Sequence, residues 1–260
     1  MTRRRADTLL AERGLAVSRS AAAAFVRAGR VRLGEDGPEV QKPSDLVPED
    51  AELVLAEGDE FVSRGGIKLK NALDELPIEV EGKRCLDVGA STGGFTDCLL
   101  QRGAQIVIAV DVGFGQLDWR LRNDSRVLVM ERLNARHLGG SYLPYAPELI
   151  TVDVSFISLA KLIEPIVATA APEFDLLGLV KPQFELGKEK VGKGGVVREA
   201  EDRREAIRAV AKEAEDEGLV VRGLASSGLP GPKGNQETFI WIAPDGDPAD
   251  LKTELERVEP

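Results

Sequence analysis

Four positions in the long C-terminal part of the chain carry the groups most able to do chemistry: Asp87, Asp111, Asp153 and Lys181. Each closes an apolar run that reads as a strand. Asp87 opens the turn Asp87-Val88-Gly89-Ala90-Ser91-Thr92-Gly93-Gly94-Phe95. Its glycines let the backbone bend closely around a ligand. The spacing is neither the G-x-G-x-x-G of pyrophosphate binders nor the Gly-Lys-Ser/Thr of a phosphate loop. Asp111 follows Gly89 by 22 residues, where an acid can accept hydrogen bonds from ribose hydroxyls. A nucleoside ligand with no phosphate requirement suggests S-adenosylmethionine. The plainer alternative is a glycine turn that only packs strand on helix. On the nucleoside reading, Gly89, Ser91, Thr92, Gly93 and Phe95 wrap the methionine and ribose, with Asp87 and Asp153 at the adjacent strand ends. Asp111 takes the ribose hydroxyls, Val112 packs on adenine, and Asn134 reaches the adenine amine or simply caps a helix. His137, the single histidine, reads as a surface or packing residue.

Asp87, Asp111 and Asp153 could instead hold magnesium, but strand-end acids are common scaffolding, and no metal is expected. Lys181 follows Leu179-Val180 and precedes Pro182. Burying an ammonium without a partner is costly, and Asp153 is its natural partner. Lys68 lies in Ser63-Arg64-Gly65-Gly66-Ile67-Lys68-Leu69, at the start of a helix leading into the first strand. Its local pattern also fits a solvated helix lysine. Glu237 opens an apolar strand and also fits an edge-strand charge.

These side chains need a frame. Strands are expected at 83–87, 105–111, 126–130, 149–153, 176–181, 219–224 and 238–243, with helices at 95–102 and 201–217. Apolar strands interleaved with helices give a buried α/β sheet, mostly parallel, with helices on both faces. Nearer the N-terminus, helices at 7–13 and 18–28 and strands at 30–33 and 51–55 make a small α+β unit. Ser18 is its N-cap and Gly29 its helix stop. The composition shifts at Phe61-Val62-Ser63-Arg64-Gly65-Gly66. The expected division is 1–60, a linker at 61–65, and 66–260. The tail from Pro244 reads as polar and weakly helical.

The 260 residues are 30% charged and 43% hydrophobic, which excludes wholesale disorder, collagen-like chains and coiled coils. No stretch reaches the roughly 18 apolar residues of a membrane helix. Met-Thr-Arg-Arg-Arg has the charge of a signal peptide but no apolar core behind it, so a cytoplasmic protein is expected. Two cysteines, Cys85 and Cys98, make neither a disulfide framework nor a zinc site. The net charge is −10, which taken alone argues against nucleic acid. Residues 1–34, however, hold eight arginines against Asp7 and Glu12. That looks like a local anion-binding face. Its candidate contacts are Arg4, Arg5, Arg19, Arg27, Arg30 and Arg32, with Arg64 at the boundary. The glycine-rich loop 187–195 adds Lys188, Lys190 and Lys193, and reads as a lid over a target or as a plain surface loop.

Long motifs run through the chain: Ser63-Arg64-Gly65-Gly66, Cys85 to Thr96, Asp111-Val112-Gly113-Phe114-Gly115-Gln116-Leu117, Asp153-Val154-Ser155-Phe156-Ile157-Ser158-Leu159, Leu179-Val180-Lys181-Pro182-Gln183-Phe184-Glu185, Gly192-Lys193-Gly194-Gly195-Val196-Val197 and Gly231-Pro232-Lys233-Gly234-Asn235. On these the chain, from about Arg5 to Ile242, resembles the TlyA family of ribosomal RNA methyltransferases, also called hemolysins. The resemblance implies an S4-like RNA-binding domain followed by an FtsJ-like, Rossmann-like class I methyltransferase sheet with one antiparallel strand. It implies a catalytic tetrad of Lys68, Asp153, Lys181 and Glu237. It further implies S-adenosylmethionine as cofactor and methylation of cytidine 2′-hydroxyls in 16S or 23S rRNA near the subunit interface, within ribosomal subunits. A 2′-hydroxyl is a weak acid that needs a base or a nearby cation, and which lysine serves stays open. The extra Glu35-Asp36-Gly37 could alter how the N-terminal unit meets RNA. The competing classes are an RNA-binding protein without transfer activity, a membrane-active hemolysin, and a nicotinamide-dependent reductase, which the missing G-x-G-x-x-G disfavours.

Overall fold

The computed structural model describes residues 3–16, 18–27, 30–34, 37–55, 60–139, 142–187, 189–192, 194–258 and 260. The chain divides into two compact units, Met1–Asp59 and Glu60–Pro260.

The first unit contains β1 (Arg3–Arg5), α1 (Ala6–Glu12), α2 (Arg19–Arg27), β2 (Val31–Leu33), β3 (Leu46–Pro48) and β4 (Leu53–Leu55). β1 pairs antiparallel with β3, and β2 with β4. The Ser18 hydroxyl accepts from the Ala21 amide at 3.1 Å and so caps α2. Leu9, Leu10, Ala22, Val26, Val31 and Val47 form the core of this unit. Strands β1 and β3 go beyond the sequence expectation. β1 is all arginine and β3 is Leu46-Val47-Pro48, so neither shows a polar–apolar alternation.

The second unit runs α3 (Arg64–Glu75), β5 (Arg84–Val88), α4 (Gly94–Gln101), β6 (Ile106–Asp111), α5 (Trp119–Arg122), β7 (Val127–Glu131), β8 (Leu149–Val152), α6 (Ile163–Val167), β9 (Asp175–Val180), α7 (Pro182–Glu185), α8 (Ala200–Asp216), β10 (Val220–Ser226), β11 (Thr238–Ala243) and α9 (Leu251–Val258). Its seven-stranded sheet has the order β10-β11-β9-β8-β5-β6-β7. β11 lies antiparallel to both its neighbours, and the pairings among β5 to β9 are parallel. Strand side chains alternate between faces. Cys85 and Leu149 enter an apolar layer with Leu69 and Leu99 of α3 and α4. Leu86 and Ile150 enter the opposite layer with Ile163 and Ile207 of α6 and α8. Burial on both faces explains why the strands read as continuous apolar runs. The chain leaves β5 for β6 on one side and reaches β8 on the other. This places a topological switch point, and hence a crevice, at the carboxyl ends of these strands. The tail after Pro244 carries the full helix α9, which anchors through Leu255, 2% exposed. Among the described residues no helix is long and apolar enough to cross a membrane.

Candidate active site

The carboxyl ends of β5, β6 and β8 open onto a cavity of about 370 Å³, within the usual size of small-molecule sites. The turn after β5 forms one wall. Gly89 has φ +87°, and a Cβ built there would lie 2.3 Å from the Asp153 carbonyl oxygen. Only glycine lets this turn press against the end of β8. Opposite it, the Asp111 carboxylate accepts the Ser91 amide on Oδ2 at 2.8 Å and the Gly113 amide on Oδ1 at 2.6 Å. Those two donors fix the carboxylate and leave further lone pairs for a ligand. Val112 and Phe156, 72% and 92% exposed, flank the opening. Phe156 holds φ +67°, a strained setting for an aromatic residue and one that gathers at functional sites.

Of the residues expected to hold a cofactor, Gly89, Ser91, Asp111, Val112, Asn134 and Asp153 line this cavity. Asn134 also accepts the Arg136 amide at 3.1 Å and caps the short turn Ala135–His137. His137 is exposed. Four expected residues are not among those lining it. Thr92 is exposed beside the turn, where its carbonyl accepts the Asp118 amide. Gly93, at φ +99°, gives its space to Leu117 and Leu121. Phe95 is buried against Phe239, with ring centroids 5.7 Å apart. Asp87 is fully buried and accepts the Thr96 hydroxyl at 2.7 Å and the Thr151 hydroxyl at 3.2 Å. The reason is strand parity. Asp87 lies one residue inside the end of β5, on the face of Cys85, and so points under α4. Burial pushes its carboxyl up to about 7. The three strand-end acids thus face three different sets of partners. Among the described residues no group of three or more His, Cys, Asp or Glu is placed to hold a metal.

The two lysines meet acids at the same sheet edge. Lys181, just past β9, forms an ion pair with Asp153 and donates to the Ser155 hydroxyl at 3.2 Å. Lys68, on α3, forms an ion pair with Glu237. Lys68, Lys181 and Glu237 are all buried. The register Thr238↔Val180 places Glu237, just before β11, alongside Lys181. A Cβ built on Gly231 would lie 2.3 Å from Glu237 Oε1, so the preceding loop packs onto that carboxylate. Removing one partner of such a buried pair costs about 3–5 kcal/mol. Asp153 belongs to both groupings: it lines the cavity and it holds Lys181. Two members of this arrangement, Ser155 and Phe156, have no role that their residue types alone assign. Their signal was a hydroxyl and an aromatic directly following a strand-end acid.

The arginine face of the first unit is organised around Asp7, 3% exposed. Arg5 donates to both its oxygens at 3.0 and 2.7 Å, and Arg19 lies 3.2 Å away. The Arg5 guanidinium holds that carboxyl well below the usual carboxylate range. Arg4 pairs with Glu12 at 2.6 Å, Arg30 lies over the Phe25 ring at 4.9 Å, and Arg32 is exposed on β2. In the second unit Arg64 donates to the Pro230 carbonyl at 2.9 Å. Lys190 forms ion pairs with Glu205 and, at 3.4 Å, Asp202 of α8, so its charge is already compensated. The side chain of Arg27, Lys188 and Lys193, together with Gly29, Glu35 and Asp36, lie outside the described residues.

Residues 61–243 match the family described as FtsJ-like methyltransferase, and residues 4–53 match the S4 domain. A protein of Mycobacterium tuberculosis named 16S/23S rRNA (cytidine-2′-O)-methyltransferase TlyA is 47% identical over 249 residues, covering 95% of this chain and 92% of its own. Hemolysin A of Brachyspira hyodysenteriae is 38% identical, covering 90% of this chain and 97% of its own. The solved structure of a candidate hemolysin from Streptococcus thermophilus matches with a TM-score of 0.75 at 38% identity, covering 100% of this chain and 95% of that one. The sheet order, the turn after β5 and these matches over most of the length agree: the chain belongs to the FtsJ-like methyltransferase family, among the TlyA proteins that carry an S4 domain at the N-terminus.

Proposed function

We propose that this protein transfers a methyl group from S-adenosylmethionine to the 2′-hydroxyl of a cytidine in 16S or 23S rRNA, within ribosomal subunits in the cytoplasm and near their interface. One observation carries the reading. Asp153 joins a nucleoside-sized cavity to a buried lysine at the same sheet edge. The cavity fits S-adenosylmethionine by its volume, by the Asp111 carboxylate fixed at its wall, and by exposed Val112 as an apolar cover for adenine. When bound there, the cofactor supplies an electrophilic methyl group.

The remaining work falls to side chains of this chain. A developing alkoxide needs a positive hydrogen-bond donor that is in place before reaction. Lys181, fixed by Asp153 and Ser155, offers one at the edge of the cavity. Lys68, fixed by Glu237, adds a second buried cation, and the register sets Glu237 alongside Lys181. Because the methyl donor is already reactive, holding the hydroxyl in line with it matters most. The S4 unit would grip RNA through phosphates, with an affinity that falls as salt rises.

The test is tritium transfer from labelled S-adenosylmethionine to unmodified 30S and 50S subunits, with Lys181→Ala alongside. Alkali-resistant label at one cytidine, lost in the variant, is expected. Cofactor binding without label in either subunit would overturn the ribosomal assignment.

A further inference from the structure

Glu185 stands four residues past Lys181, at the end of α7. It is not among the residues that line the cavity. Its Oε2 accepts the Ser158 hydroxyl at 2.6 Å, and its Oε1 accepts the Leu159 amide at 2.7 Å. Lys161 is a cation close enough to favour its charge. Burial pushes its carboxyl up from the usual range. A half-buried carboxylate that accepts one hydroxyl and one amide caps the entry to the turn Ala160–Leu162 from a neighbouring element.

That turn ends the strap Asp153–Leu159. The front of the strap supplies both partners of Lys181, Asp153 and Ser155. Its middle carries Phe156, whose ring lies 5.4 Å from that of Phe184. Asp153 through Ile157 line the cavity. The five-residue segment Lys181–Glu185 therefore grips the strap three times. Lys181 holds its start, Phe184 its middle and Glu185 its end.

We infer that Glu185 is a positioning residue that latches the cavity wall and the Lys181 partners into one frame, so that cofactor affinity and methyl transfer depend on it together. The inference rests on the proposed function and extends it to a residue that touches neither substrate. The strap reaches the Asp153 end through rigid β8; its other end has no strand and is held by buried Leu159 and by the Glu185 cap. Without the cap, Phe156 and Ser155 can shift while the sheet stays intact.

The experiment uses the full chain with Glu185→Gln, Glu185→Asp, Glu185→Ala and Ser158→Ala. Calorimetry with S-adenosylhomocysteine gives affinity, and steady-state transfer to ribosomal subunits gives kcat and both KM values. Glu185→Gln retains one acceptor and places an amide donor against the other donor. It should weaken S-adenosylhomocysteine about tenfold and raise the cofactor KM similarly, the size of one charge-assisted hydrogen bond. kcat should fall with it, while the RNA KM and the melting temperature stay near wild type. Glu185→Asp should recover part of both. Ser158→Ala should cost little once Glu185→Ala is present, because the two act through one bond. Wild-type affinity and kcat in Glu185→Gln would overturn the inference. So would a parallel loss of melting temperature, cofactor affinity and RNA affinity, which marks a purely structural residue. Wild-type protein that binds S-adenosylhomocysteine but transfers no methyl group would remove the proposed reaction and leave the affinity arm to decide the latch. Wild-type protein that binds none would overturn both.

Discussion

Asp87→Asn should stabilise the second unit at alkaline pH and leave its cavity unchanged. Asp87 is fully buried, and its partners are two threonine hydroxyls, neither of them a cation. Burial, with nearby Asp153 adding to it, moves its carboxyl from 3.8 up to about 7. The folded state therefore binds this proton more tightly than the unfolded chain does. Below about pH 4 both states are protonated, and burial of the group carries no ionic cost. As pH rises from about 4 through about 7 the unfolded chain gives up its proton first, and stability falls across that window. At about 1.4 kcal/mol per pH unit the full gap is about 4 kcal/mol. Asparagine removes that cost but turns one acceptor into a donor, and rearranging a threonine hydroxyl costs about 1 kcal/mol. The net expectation is about 3 kcal/mol of added stability near pH 8 and a small loss near pH 4. Both tryptophans, Trp119 and Trp241, lie in the second unit, so their fluorescence during urea unfolding follows that unit. The difference between variant and wild type should widen by about 4 kcal/mol between the two pH values. Parallel pH profiles would refute the argument from burial, and so would a wild-type profile that rises from pH 5 to pH 8.

Three further outcomes are expected. Asp111→Ala removes the acceptor fixed by Ser91 and Gly113 at the cavity wall; S-adenosylhomocysteine affinity should drop by about tenfold or more in calorimetry, with little change in melting temperature. Gly89→Ala places a Cβ 2.3 Å from the Asp153 carbonyl oxygen at a φ of +87°; it should destabilise the second unit by about 2 kcal/mol or more in urea unfolding and weaken the cofactor as well. Arg32→Ala removes an exposed cation of the first unit; the slope of log affinity for rRNA fragments against log salt should become shallower by about 1 in a filter-binding series.

The sheet was legible because it is buried on both faces. Apolar runs at 83–87, 105–111 and 149–153 could hardly be anything else, and they appear as Arg84–Val88, Ile106–Asp111 and Leu149–Val152. The ion pair of Lys181 with Asp153 was legible from the cost of an unpaired buried ammonium. The pairing of Lys68 with Glu237 was not legible from local pattern. The two stand 169 positions apart, and they meet because β11 inserts antiparallel between β9 and β10. No local period reports that insertion, and only the family resemblance pointed to it. Asp87 misled for the opposite reason. Its place in the turn motif suggested a ligand, but the strand extends one residue further, to Val88. Parity then turns its carboxylate under α4, towards Thr96. Glu185 gave no signal by type or spacing, since its role depends on a turn at Ser158–Ala160 that a sequence pattern does not show.

Under the proposed function, Asp153 and Gly89 are the residues through which this edge would hold a methyl donor and a hydroxyl at a set distance. Asp153 acts twice with different atoms. Its carbonyl oxygen sits against the Gly89 turn, and its carboxylate holds Lys181. A displacement of this residue would therefore disturb the cavity wall and the lysine together. Asp153 is in turn fixed from behind, because its amide donates to the Val88 carbonyl at 2.9 Å as the β5–β8 ladder continues. Asp153 thus takes its place from the end of a rigid strand, while the strap beyond it depends on the contacts of the Lys181–Glu185 segment, and a reaction dependent on alignment requires both. The arginines of the first unit face a different demand. Phosphate contacts add strength without needing sub-ångström placement, and exposed side chains such as Arg32 suffice. Substitutions at the sheet edge should therefore change kcat with little effect on RNA affinity. Substitutions in the arginine face should change RNA affinity and its salt dependence with little effect on kcat at saturating RNA. A variant of Arg5, Arg19 or Arg32 that lowers kcat at saturating RNA would show that the first unit also takes part in the alignment step.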